Sequence, residues 1–196
     1  MLPSRWNFIQ SLQEDLLKTS RYVEFSKQNS GTYSVEFDRI ILAAGSEINS
    51  IFENLVHHKN IIINGNLDII KVGSVLLPLM PSISNVEVEL LNSDFLVFKP
   101  WDGWSSGSSP DWWRKVYNKL KHDRAQNYAE ATLGNAVIST AALVVLSLYS
   151  HRLLMGACAQ IDAFLGPHLF SITDGVPKEY GYGGGGVFWG YEIGSP

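Results

Sequence analysis

Asn118 and His122 stand one helical turn apart inside a run of basic residues: Arg114, Lys115, Lys119, Lys121 and Arg124. These residue types suit work on a phosphodiester. An imidazole titrates near neutrality and can take or give a proton. Lysine and arginine stabilise the negative charge that develops on phosphate oxygens. In that chemistry His122 is the acid or base. Lys121, Arg124 and Arg114 hold phosphate, with Lys119 and Lys115 beside them, and Asn118 orients the histidine or the sugar.

The segment that carries them, "DWWRKVYNKLKHDRAQN" from Asp111 to Asn127, holds five of the 15 Lys and Arg of a 196-residue chain whose net charge is -4. A protein that coats nucleic acid non-specifically is usually basic overall, so contact with a polyanion here must be local. At about 100° per residue, Trp112, Trp113, Val116, Tyr117 and Leu120 share one arc of roughly 140°. Arg114, Lys115, Asn118, Lys119, Lys121 and His122 fill the other side. The spacing predicts a two-faced helix beginning at Trp112, with Asp111 as its cap after Pro110. Asp123 is the nearest acid on the polar side, which predicts cations not absorbed in alternating ion pairs. A solvated surface accounts for the lysines. Asn118 and His122 are poor helix formers, and solvation alone does not explain them.

Other elements must hold this helix. Trp6, Ile9, Leu12 and Leu16 recur at helical spacing, so a first helix opens at Pro3 or Ser4. Residues 33–57 read as a long amphipathic helix with Phe37, Ile40, Ile41, Ala44, Ile48, Ile51, Phe52 and Leu55 on one face and Gly45 as its one weak helix former. "DIIKVGSVLLPLMPSIS" reads as a short helix or two, stopped by Pro78 and Pro81. "NVEVELL" and "DFLVFKPW" alternate around Asn92-Ser93 and predict a hairpin over residues 85–98. A turn-rich loop spans residues 102–111, and a second loop near Ala125–Asn127 leads to a long apolar helix from about Ala129 to Cys158. The tail from residue 166 is rich in Gly, Pro and aromatics, as a surface tail or short hairpin packing back on the domain. The expected class is mainly α: a helical bundle over residues 1–165 with an inserted β-hairpin, then the Gly/aromatic-rich tail 166–196.

Several chemistries are excluded. Cys158 is the single cysteine, so no internal disulfide or cysteine-based zinc site forms, and its apolar setting suits a buried small residue. Gly183–Gly186 lack the lysine and following helix of a P-loop. His57 and His58 close the long early helix, where cations are favoured. Ser46 and Ser139 lack a nucleophile elbow, Asp162 and Asp174 belong to no carboxylate set, and His168 reads as a loop residue. No metal and no cofactor is expected. The start lacks a signal-peptide core, and Ser, His and Arg break the apolar run Ala136–Met155. That predicts a buried helix in a cytoplasmic protein with no membrane span.

"YNKLKHDR", preceded by two tryptophans and followed by a long apolar helix, resembles the signature region of HEPN-type helical domains. The resemblance covers roughly residues 20–57 and 95–155. It implies a bundle built on two long helices, with a polar histidine motif near the start of the later one. Many members are metal-independent ribonucleases of toxin–antitoxin, abortive-infection or CRISPR systems, and others are non-catalytic modules. The resemblance therefore implies RNA as ligand, a homodimer whose two copies face each other across the site, and His122 as acid/base. It leaves two readings: a ribonuclease, or a module binding a protein partner, such as an antitoxin, or a nucleotide. Active members place an arginine a few residues before the histidine. Here seven residues separate Arg114 from His122, and Arg124 follows it. Glu47, on the flank of the long early helix, is a candidate to fix His122 or a lysine, its plainer role being a rim carboxylate.

Overall fold

The computed structural model describes residues 3–95, 97–155, 169–172, 175–183 and 186–193. The fold is mainly α. Among the described residues are six α-helices: α1 (Pro3–Thr19), α2 (Val35–His58), α3 (Ile69–Leu76), α4 (Asn118–His122), α5 (Arg124–Asn127) and α6 (Leu133–Met155). The boundary between residues 165 and 166, together with Cys158, Asp162, His168 and Asp174, lies outside the described residues.

Helix α2 is specified at both ends. Ser34 adopts an extended backbone and its hydroxyl accepts from the Phe37 amide at 3.1 Å, satisfying one of the orphan donors of the first turn. At the other end Asn60 turns left-handed at φ 53. Its amide bonds the His57 carbonyl, and the Ile61 amide bonds that of Val56. That is the paired closure that asparagine tolerates after a helix. All eight apolar residues assigned to the inner face are buried.

Helix α6 packs most extensively against α2. It begins four residues later than its apolar composition suggests, because Thr132 turns the chain and its hydroxyl accepts from the Asn135 amide at 3.3 Å. The buried hydroxyls of Ser139, Thr140 and Ser147 bond carbonyls one turn back, at 3.1, 2.8 and 2.7 Å. A polar group without such a bond would be costly in this interior. By length and composition α6 is long and apolar enough to cross a bilayer, and 83% of its most apolar stretch is buried within the chain.

Aromatic residues fill the space between α2, α6 and the middle of the chain. Trp101 is fully buried and donates to the Ala142 carbonyl at 3.0 Å. Trp104 donates to Ile69 at 3.1 Å and Trp112 to Pro100 at 2.7 Å. Ring pairs link Phe52, Trp101, Trp104, Trp112, Trp113 and Tyr117 at centroid separations of 4.6–6.3 Å. Such contacts add to area burial while the indole N–H groups of Trp101, Trp104 and Trp112 keep their partners.

The strands are short. β1 (Val88–Leu90) exchanges both backbone bonds with Phe98 at 2.8 and 3.0 Å, so the pairing expected across Asn92-Ser93 closes at one rung. Asn92 supplies the left-handed turn residue, φ 56. The longer partner of β1 is β2 (Phe170–Ile172), antiparallel with Val88 opposite Ile172. Sequence patterning missed this because the pairing joins segments about eighty residues apart. β3 (Gly175–Gly183) and β4 (Gly186–Ile193) form an antiparallel hairpin in the tail, with a register shift between Tyr180 and Tyr182.

Candidate anion-binding face

The segment after Pro110 coils as expected in its facing and departs in its pitch. Trp112–Tyr117 is a π-helical stretch that passes into α4; the Asn118 amide reaches back to the Trp113 carbonyl. Trp112, Trp113, Val116, Tyr117 and Leu120 are all 6% exposed or less. Arg114, Lys115, Lys119, Lys121 and His122 are exposed and Asn118 is half-buried.

The helix is seated on α2 through Tyr117. Its ring lies directly over Gly45, where an added Cβ would stand 2.3 Å from ring carbons. Its hydroxyl accepts from Asn49 Nδ2 at 3.0 Å. Gly45, the weak point of α2 by propensity, is therefore the position that lets the Tyr117 ring pack onto the α2 backbone.

The acids divide the basic residues into two groups. Asp111 does not cap the helix. Its carboxylate instead bridges Arg114 at 2.9 Å and Lys115 at 2.6 Å, and hydrogen bonds from Lys115 and then Arg114 hold its pKa below the ordinary value. The expectation that Asp123 is the nearest relevant acid fails here, because the partner precedes the helix. Asp123 caps α5 by accepting from the Gln126 amide at 3.3 Å. Arg124 turns away from His122 onto α2, where its Nε donates to Asp38 Oδ2 at 2.6 Å, and its guanidinium lies 5.1 Å from the Tyr128 ring centroid. The Asp38 bond raises the pKa of Arg124. Glu47 pairs with Arg5 at 2.7 Å and holds neither His122 nor a lysine.

What remains is compact. Asn118, Lys119 and His122 lie within one turn of α4, and their side chains form no hydrogen bond or ion pair with the described residues. Lys121 makes a cation–π contact with Tyr117 at 5.6 Å. Chemically this is an exposed imidazole beside two ammonium groups and an amide, suited to an anion bearing hydroxyls. His57 and His58 sit exposed in the last turn of α2, and among the described residues no three His, Cys, Asp or Glu converge as metal ligands.

Asp38 is the polar residue that sequence patterning missed. It is 2% exposed, and its Oδ1 is buried without a hydrogen-bond partner among the described residues. A signal was present: Asp38 precedes Ile41, Gly45 and Ile48 on the stripe that α2 buries, and a carboxylate on an apolar stripe calls for a cation from elsewhere in the chain.

Comparison with protein-family models, with curated proteins and with solved structures returned no match.

Proposed function

We propose that this protein binds RNA through the face formed by Asn118, Lys119, Lys121 and His122, and cleaves it with His122 as acid/base, in the manner of the HEPN-like ribonucleases its "YNKLKHDR" segment resembles. The observation that carries the reading is the segregation of one helix. Its aromatics are buried to the last ring, while an unpartnered imidazole and lysine project together. In the reaction the ribose 2′-oxygen attacks phosphorus and the bond from phosphorus to the 5′-oxygen breaks. One imidazole removes the 2′ proton and a second protonates the leaving 5′-oxygen. A homodimer with two His122 side chains across a twofold axis supplies both. Lys119 and Lys121 stabilise the charge on the nonbridging oxygens. The setting consistent with the resemblance is a cytoplasmic phage-defence or toxin–antitoxin system.

A second reading is a non-catalytic module of the same kind, holding a protein partner or a nucleotide. The engagement of Arg124 with Asp38 and of Glu47 with Arg5 favours it, because neither is left to assist His122. Incubation of the protein with total RNA in EDTA, beside His122→Ala, separates the two. Loss of cleavage in the variant supports the nuclease. Cleavage that survives the substitution removes His122 from the chemistry, and binding without cleavage by the unaltered protein supports the module.

A further inference from the structure

A second concave surface lies at the opposite end of the same helix. It encloses about 600 Å³ between the Lys99–Trp112 segment, Arg114, Ile70 on α3 and the first turns of α6. That volume falls within the range of small-ligand sites. Arg114 belongs both to this cleft and to the basic face. It stands eight positions before His122, about 12 Å along the helix axis, a distance a few nucleotides of single strand can cover.

The chemistry of the walls is mixed in a specific way. Ile70 and Ile138 offer an apolar surface. Lys99 and Arg114 bring cations to the rim, each held in an exposed ion pair, Lys99 with Glu87 at 3.6 Å and Arg114 with Asp111 at 2.9 Å, of the kind a stronger anion can displace at little cost. The Asp102 carboxylate is exposed and makes no bond with the described residues. The loop that carries the outer wall is closed on itself: Ser105 and Ser108 exchange backbone bonds at 3.3 Å, and the Ser108 hydroxyl bonds the Gly103 carbonyl. Gly103 permits that closure at φ 76. An apolar wall, two rim cations and a carboxylate without a partner among the described residues together match a nucleotide whose base edge presents donors.

We propose that this cleft is a guanine-nucleotide subsite, in which Asp102 accepts from the guanine N1–H and N2 amino group and Arg114, whose Nη2 alone is bonded to Asp111, meets the phosphate through its remaining guanidinium donors. It rests on the RNA-binding reading for its place along a strand, and adds base preference to it. Guanine offers a carboxylate two adjacent donors, cytosine one, and uracil none beside its single ring N–H. Single-stranded RNA is commonly read at such edges.

The test uses the four nucleoside monophosphates with the full-length protein, following the backbone amides of Gly103, Gly107 and Ser108 by NMR. GMP is expected to shift these amides and to bind at least tenfold more tightly than AMP or UMP. Asp102→Asn should remove that preference. Gly107→Trp should weaken the shifts by placing an indole at the cleft wall, where an added Cβ meets nothing within 4 Å and the core is left undisturbed. Equal binding of all four nucleotides, or no shift at these amides with any of them, overturns the proposal. RNA binding lost on Lys119→Gln and Lys121→Gln is a separate readout. Its absence sinks the RNA-binding reading while leaving a GMP-specific cleft standing.

Discussion

Single residues carry opposite duties on the two sides of the Asp111–Asn127 segment. Asp111 neutralises Arg114 and Lys115 at the start, and the side chains without a hydrogen bond or ion pair among the described residues begin at Asn118. This asymmetry has a measurable consequence. The native pKa of Asp111 is lowered, so its ion pairs contribute stability that is fully present above the ordinary value of 3.8 and is lost as pH falls through the lowered value. A carboxyl-carbon NMR titration should place its midpoint below 3.8, and Lys115→Met, which deletes the larger cause, should move it back up. Gly45 carries a steric duty. Gly45→Ala adds about 1 kcal/mol of helix propensity. It also drives a Cβ into the Tyr117 ring, at an overpacking cost of about 1–3 kcal/mol. The expected result in urea unfolding is a net loss of up to about 2 kcal/mol. A stabilised variant would mean that Tyr117 does not lie where its ring is placed.

The elements show why parts of the site were legible in sequence and parts were not. The burial of Trp112, Trp113, Val116, Tyr117 and Leu120 follows from local periodicity, and so does the inner face of α2. The π-helical pitch of Trp112–Tyr117 does not follow, because the same residues cover the same arc in an α-helix. The pairing of Arg124 with Asp38 joins positions 86 residues apart, and β1 finds β2 across the whole of α6. Long-range partners of this kind are decided by the packing of α2 against α6, which no window of sequence contains. The Arg124–Asp38 bond also fixes α5 on α2 just after His122. Arg124→Ala strands a buried carboxylate and should lower the thermal midpoint. Replacing both residues, Asp38→Leu with Arg124→Ala, should recover part of the loss, since removal of both partners leaves no unpaired charge. If the double variant is the less stable one, the pair is not the tether described here.

At the scale of the molecule, a chain of net charge -4 presents one cationic face whose positive groups are backed by an aromatic wall and spared by the nearby acids. Binding to a polyanion through such a face must be salt-sensitive but modest in the number of phosphates it neutralises. For single strands the slope of log affinity against log salt is about −0.7 per phosphate contact. The most direct measurement is that slope, taken by fluorescence anisotropy with a single-stranded RNA, for the unaltered protein and for Lys119→Gln/Lys121→Gln. The account predicts a slope shallower by about 1.4 in the double variant, with weaker binding at every salt concentration. An unchanged slope and affinity would contradict it and would place any RNA contact on another surface of the molecule.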